Sequence, residues 1–377
     1  MKTRTLIILL IILGFLAGVG ALIIRLKATD RSKEDLGVLL LGNLPANEIV
    51  SITIQGAKDS VSLAKEEDRW IVVDRFHYPA DFSQIIDLVR KLKDVKIGRQ
   101  FESSEETQRR LSLKDPDDPD ASEKEKGIRI LLGDKKKTPL ASLLLGKTRE
   151  GGDERRFPSG QYVRLGKESK IYLIDQHFAY LQKKPAGWLD KTLVEVKEEE
   201  VKKISCMSPE AKKIHFAFER PRKEQDLEPV NLPKDRKVKK SALERLSRAL
   251  SSLRIEDVAG PSDDSESVGM ERSKRLEYHL FNGMTYHLYF GKACSETDPC
   301  LLQLEVDYEK PAPEKEETGE CEPPKKEEDS SEKTPEELAL EAKQLNARLS
   351  RWVYVIPKWQ HDAFLTDLDQ LLEKSEK

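Results

Sequence analysis

Cysteine is scarce in this sequence, with four residues in 377, so a disulfide framework cannot be what folds it. No charge of one sign dominates either: 65 Lys plus Arg stand against 68 Asp plus Glu, a net of −3. That balance argues against a nucleic-acid binder, which would need a concentrated basic surface to displace counterions from phosphates. Catalytic motifs are missing as well. There is no His-Glu-x-x-His pair for a zinc protease and no Gly-x-Ser-x-Gly elbow for a hydrolase. His77, His177, His215 and His361 are scattered at no spacing that joins a base to a nucleophile. No catalytic, cofactor-binding or metal-binding residue is therefore assigned from sequence, no cofactor is expected, and the chain is read as a non-enzyme. Trp70, Trp188, Trp352 and Trp359 are read as core or sheet-packing residues rather than a sugar platform.

Long hydrophobic runs are also few, but one is decisive. From Leu6 to Ile24 the chain carries no charge, and as a helix that run spans roughly 28 Å, enough to cross a bilayer once. A cleavable leader would end near Val19-Gly20-Ala21, yet the apolar run continues through Leu22, Ile23 and Ile24, which favours an uncleaved anchor. Orientation is divided on residues alone. Arg25, Lys27, Arg31 and Lys33 after the run outnumber Lys2 and Arg4 before it, which leans toward a cytoplasmic body. A short basic N-terminus before a long apolar run is the pattern of an exported body.

Beyond residues 1–27 (tail and anchor) and 28–47 (connector), one pattern runs twice, over 48–197 and 198–377. In the first pass IVSITI at 49–54, Val61–Leu63 and Trp70–Val73 read as strands. They precede a helix, FSQIIDLVRKLKDV, whose Ile85, Ile86, Leu88, Val89 and Leu92 share a side. IRILL, LASLLLG, YVRL and KIYLID then continue a sheet, and His177–Leu181 begins a short helical ending. In the second pass EEEVKKISC and KIHFAF precede a helix, SALERLSRALSSL, carrying Leu243, Leu246, Leu250 and Leu253. A hairpin turns at Asn282-Gly283, LLQLEVDY and WVYVI follow, and WQHDAFLTDLDQLL ends the chain. The expected class is α+β: a transmembrane helix followed by two similar modules of mostly antiparallel sheet with one principal helix each. Polar stretches at 114–126, 151–160, 221–240 and 261–272 are expected to lack fixed structure, as is the Glu/Lys/Pro insertion at 310–333. Thr334-Pro335-Glu336-Glu337 then opens a helix with a capping box.

Two motifs invite chemistry. Leu145-Gly146-Lys147-Thr148 ends like a phosphate loop, but Ala141 stands where the first glycine belongs, and apolar strand formers fill the interval. It is read as a strand-ending turn, matched by Phe290-Gly291-Lys292 in the second pass. His279, His287, Cys294 and Cys300 lie close together in sequence and have the donor types of a zinc site. A two-residue Asn-Gly loop would set Phe281 against Met284 and send the two histidines to opposite faces, which argues against it. Whether Cys294 and Cys300 are bridged is left open; Cys206 is read as core-facing and Cys321 as a free thiol in the Glu/Lys/Pro stretch.

The chain resembles the bacterial domain of unknown function 4340 family. The resemblance rests on the anchor, Trp70 ahead of Pro79-Ala80-Asp81 and the LVRKL helix, and Leu111-Ser112-Leu113-Lys114-Asp115-Pro116. It continues in the Leu-Gly-Lys turn, KIYLID and LSSLRIEDV. Ser112 stands where a glycine is common, and the charged insertions are unusually long. The resemblance implies a single-pass protein of the bacterial inner membrane with an extracytoplasmic body, often encoded beside gliding-motility-type ABC transporters. The expected function is a noncatalytic accessory or scaffold protein of the cell envelope that partners the lipid bilayer through Leu6–Ile24 and a membrane protein, with an ABC-type transporter as the candidate. The alternative is an envelope enzyme or ligand-binding protein acting on cell-wall or sugar substrates in a cleft between the modules.

Overall fold

The computed structural model describes residues 37–150, 159–208, 210–211, 213–230, 237–291, 294–295, 297–311, 333–364 and 367–373. The apolar run Leu6–Ile24 and most of the insertions at 151–160 and 310–333 lie outside the described residues, as does 231–236 of a third. Among the described residues no helix is long and apolar enough to cross a membrane. The fold is α+β, with few helices and antiparallel ladders. Its described residues fall into two compact units, one drawn from Met1–Lys65 and Phe82–Lys184, the other from Glu66–Asp81 and Pro185–Lys377. The sequence had placed the junction at 197/198 and the segment 66–81 in the first module.

In the first unit, β1 (Ser51–Gln55) and β2 (Ser60–Glu66) bury Ile52, Ile54, Val61 and Leu63 on one face. The alternation in the sequence is the reason, because successive strand side chains point to opposite sides. After β3 (Arg69–Val72) and β4 (Tyr78–Pro79), which belong to the other unit, α1 (Phe82–Asp94) buries Ile85, Leu88 and Leu92. Then come β5 (Ile97–Glu102), α2 (Glu105–Arg110), β6 (Ile128–Gly133), β7 (Pro139–Arg149), β8 (Gly160–Leu165) and β9 (Lys170–Ile174). The ladder runs β2-β1-β6-β7-β8-β9-β5, so the chain lays β5 at a far edge before returning to pair β6 with β1.

The second unit continues with β10 (Thr192–Val194), β11 (Val201–Met207), β12 (Ile214–Glu219), β13 (Glu228–Pro229), α3 (Lys240–Ser247), β14 (Leu253–Arg254) and β15 (Asp257–Pro261). It ends with β16 (Lys274–Leu280), β17 (Met284–Phe290), β18 (Cys300–Tyr308), α4 (Pro335–Leu349), β19 (Trp352–Ile356), α5 (Lys358–His361) and α6 (Leu368–Leu371). Its ladder is β13-β12-β11-β16-β17-β18-β19-β15. From β12 to β15 this is the first unit's order strand for strand, each number raised by ten. A 3₁₀ turn precedes the first strand in both, at Ala46–Glu48 and Glu198–Glu200. One principal helix separates second from fifth strand in both, and α3 buries Leu246 as α1 buries Leu92. The capping box at Thr334 forms as expected and starts α4. The expected helical ending at His177–Leu181 is instead turn and extended chain.

The hairpin β3-β4 is held within the second unit by specific contacts. Tyr78 meets Trp352 edge-on at 5.5 Å and Tyr354 at 6.3 Å, and Arg75 grips Asp257 with Nε and Nη2 at 2.7 and 3.1 Å. Asp81 N–H donates to Trp188 O at 2.8 Å.

Two stretches expected to lack structure are ordered, and each unit orders its own in the same way. Leu113, wholly buried, packs on Leu144 of β7 and Ile171 of β9. Met270 packs on Tyr289 of β17 and Val353 of β19. In each case a few apolar residues in or beside a polar segment, Leu113 and Ala121 in the first unit and Met270 with Val268 in the second, supply the burial that a composition average conceals. Backbone bonds close the first segment, Lys114 N–H to Glu125 O and Gly127 N–H to Lys114 O, at 3.0 and 2.8 Å.

If α1 and α3 play equivalent parts, Leu92→Ala and Leu246→Ala should each destabilise their own unit by about 2–5 kcal/mol. Urea unfolding of the two variants, followed by far-UV circular dichroism and by amide hydrogen exchange of peptides from each unit, measures this, since Trp70, Trp188, Trp352 and Trp359 all belong to the second unit. A change below about 1 kcal/mol at either site would contradict the packing described.

Candidate functional site

The charged face of β16, β17 and β18 gathers two histidines with buried charges, and a hairpin register creates it. The turn spans Phe281-Asn282-Gly283, so His279 pairs with Thr285, Tyr278 with Tyr286 and Glu277 with His287. This corrects the expected two-residue loop by one position. Gly283 adopts φ +92°, which suits a three-residue hairpin with glycine in the left-handed region. Asn282 Oδ1 accepts from Met284 N–H at 3.0 Å. The turn is also held from outside: Glu309 N–H donates to Gly283 O and Phe281 N–H to Glu200 O, at 3.0 and 3.1 Å. A side chain at position 283 would strike the Glu309 carbonyl.

Because side chains alternate along a strand, the shift by one puts His279 and His287 on the same face, where opposite faces had been expected. Glu277 lies between them, with Oε1 3.0 Å from His287 Nδ1 and Oε2 3.4 Å from His279 Nε2. Asp307 Oδ2 sits 3.0 Å from His287 Nε2, and the Arg275 guanidinium ion-pairs with Glu277 while its Nη2 lies 2.7 Å from His287 Nδ1. That ring nitrogen accepts from Arg275 or donates to Glu277 according to tautomer. Glu277 and His287 are each only 7% exposed, which makes their pairing obligatory rather than decorative. Beside them Arg272 covers the Tyr289 ring at 3.9 Å and reaches Gln303 Oε1 and Glu305 Oε1, and Tyr289 OH donates to Glu305 Oε2 at 3.0 Å.

Burial pushes the Glu277 carboxyl upward, but hydrogen bonds from His279 and His287 and the Arg275 charge outweigh it and hold the group well below the usual carboxylate range. Tyr289 is pushed up, first by burial and then by the Glu305 charge. Chemically the face is a fixed array of matched charges. Its acids and bases are committed to one another, as in a recognition or scaffold surface, and no hydroxyl nucleophile is presented to His287 by the hydrogen bonds it makes.

The other motifs resolve as packing. Gly146 lies inside β7, not in a loop, and a side chain there would strike Leu111 O and the Leu113 side chain. Lys147 N–H donates to the same Leu111 carbonyl at 2.8 Å. The glycine is a notch for the covering segment 111–113 and has no phosphate-cradling geometry. Cys294 and Cys300 are joined by a disulfide, and among the described residues the donor atoms that converge with them belong to His361, not to His279 or His287. Cys206 is buried as expected. Trp70, Trp188 and Trp352 are buried, but Trp359 is 69% exposed, because Gln360 turns inward in its place and binds Ser252 O and Arg254 N–H.

Residues 70–272 match the family described as Domain of unknown function (DUF4340), more than half of the chain. The chain belongs to this family. No curated protein matches it. The match in this DUF4340 protein opens at Trp70, includes the notch at Gly146, and closes at Arg272, just ahead of the charged strands. Within the match, Ser112 takes φ +55°, a conformation glycine adopts without steric cost. Its Oγ donates to Lys124 O at 2.6 Å, which offsets the strain.

Glu277→Gln should destabilise the second unit by about 3–5 kcal/mol at neutral pH, by leaving Arg275 unpaired. The sign with pH follows from the depressed carboxyl: its contribution is whole above the unfolded-state value of about 4.3 and is lost as pH falls toward the folded-state value. The gap between wild type and Glu277→Gln in urea unfolding should therefore be constant from pH 7 to about pH 5 and narrow below it. A gap that widens on acidification would be incompatible with this network.

Proposed function

We propose that this DUF4340 protein is a noncatalytic accessory or scaffold protein of a bacterial cell envelope, held in the inner membrane by Leu6–Ile24, with its body outside the cytoplasm. It presents its sheet faces to a membrane-protein partner, for which an ABC-type transporter is the candidate. The observation that carries the reading is the commitment of Glu277 to Arg275, His279 and His287, a closed charge array on the central strands of a sheet. Such arrays give specificity and orientation in recognition, because a partner must match their charge pattern. The apolar run and the family resemblance support the anchor. The Cys294–Cys300 disulfide supports an oxidising compartment, where such bonds persist.

Topology is tested with thiols. Cys206 is buried and Cys294 and Cys300 are bridged, so Cys321 is the reporter. A membrane-impermeant maleimide should label wild-type chain in intact cells with a permeabilised outer membrane, and Cys321→Ser should abolish the signal. Labelling that requires rupture of the inner membrane would place the body in the cytoplasm. For the partner, a photo-crosslinker at the exposed position Asp307 should yield adducts with transporter subunits in native membranes. Adducts with none of them would remove the transporter from the account.

A further inference from the structure

We infer that Cys294, Cys300 and His361 form a redox-gated binding site for a borderline-soft divalent cation of the zinc type: a disulfide when oxidised, a two-thiolate, one-imidazole ligand set when reduced. The two sulfurs and a ring nitrogen of His361 all lie within 4.8 Å of one another. This convergence is built by three neighbouring strands. Cys294 follows the end of β17, Cys300 opens β18, and β18 pairs with β19 so that Cys300 stands opposite Ile356. Directly after Ile356 the chain turns at Pro357 into α5, where the His361 N–H donates to Pro357 O at 3.0 Å and the ring is delivered over the two sulfurs. Phe290, the last residue of β17, meets the imidazole edge-on at 5.6 Å and fixes its plane.

The dimensions fit the chemistry. Zinc bonds of about 2.3 Å to sulfur and about 2.0 Å to nitrogen set tetrahedral edges near 3.5–3.8 Å. From donors already within 4.8 Å, capture of the ion needs displacements on the order of 1 Å once the sulfur–sulfur bond is opened. His361 also has an outer carboxylate: Asp362 Oδ1 is 3.4 Å from Nδ1, placed to accept its proton and leave Nε2 for the ion. Cys300 is buried, at 5% exposed, while Cys294 and His361 are half-buried, so the site lies at the edge of the core.

The steps balance. A dithiol reductant exchanges with the cystine, giving two cysteine thiols and the oxidised reductant as a disulfide. Binding of the divalent ion then releases one proton from each thiol, and imidazole joins as a neutral ligand. A small-molecule disulfide reverses the sequence: thiol–disulfide exchange re-forms the Cys294–Cys300 bond, the oxidant leaves as two thiols after taking up two protons, and the ion is released. The inference does not depend on which side of the membrane holds the body, since the compartment only selects which of the two states is resident.

The test uses the full-length protein in detergent with Cys206→Ser and Cys321→Ser, so that only the two relevant sulfurs remain. After reduction with a phosphine, which takes up oxygen from water as phosphine oxide, and its removal without air, the protein is titrated with cobalt(II). The expected result is one equivalent bound, with thiolate-to-cobalt charge-transfer absorption and the strong visible bands of a tetrahedral ion, both displaced by zinc. The oxidised protein should show none of this. Cys300→Ser should weaken binding and about halve the charge-transfer absorption, His361→Ala should weaken binding more than Asp362→Asn, and Asp362→Asn should weaken it about 10- to 100-fold. Circular dichroism of Asp362→Asn, an exposed change, guards against misfolding as the cause. Reduced protein without charge-transfer absorption, or His361→Ala binding as tightly as its parent, would overturn the inference.

Discussion

Each unit is closed by an edge strand that the chain lays down early and pairs late. Among the described residues, the ladder partner of β5 is β9 and that of β15 is β19. β5 is therefore separated along the chain from its ladder partner by the whole of β6 to β8, and β15 from its partner by β16 to β18. Loop closure over such separations costs chain entropy before any contact repays it. A helix anchored in the core precedes each edge strand. α1 and α3 bury Leu92 and Leu246 completely, so the segment leading to the edge strand is already seated on apolar surface. The segments between fifth and sixth strands then return across the sheet, and Leu113 and Met270 fasten them there.

Much of this architecture was legible in the residues, since it is written in periodicity. The alternation in IVSITI, the spacing of leucines in α1 and α3, and the recurrence of both in one order pointed to tandem α+β units. What escaped was what periodicity cannot encode. The one-residue shift at Asn282-Gly283 depends on bonds from Glu309 and Glu200, far away in sequence. The placing of 66–81 in the second unit depends on Tyr78 finding Trp352 and Arg75 finding Asp257, pairings that no local pattern announces. The order in 114–126 and 261–272 turns on a few apolar residues in or beside each, among them Leu113, Ala121 and Met270, set among charges.

The candidate site shows the same division. The sequence marked His279 and His287 as neighbours, yet their common face, and the role of Glu277 between them, follow from a register set by the hairpin's length. Arg275 and Asp307 had no motif to single them out in a chain where 35% of residues are charged. Abundance of charge conceals the few charges that are buried. Conversely the Leu-Gly-Lys segment, which looks chemical on the page, is a steric notch whose glycine lets Leu111 and Leu113 cross β7.

Amide hydrogen exchange of the full-length protein, read by mass spectrometry on peptides covering β5, β9, β15 and β19, tests the late-closing edge most directly. The account predicts that β5 amides exchange together with those of β9, and β15 amides with those of β19, each pair protected as one cooperative unit. Rapid exchange of β5 while β9 stays protected, or of β15 while β19 does, would show that the edge strands are not paired as described and would break the correspondence between the two units.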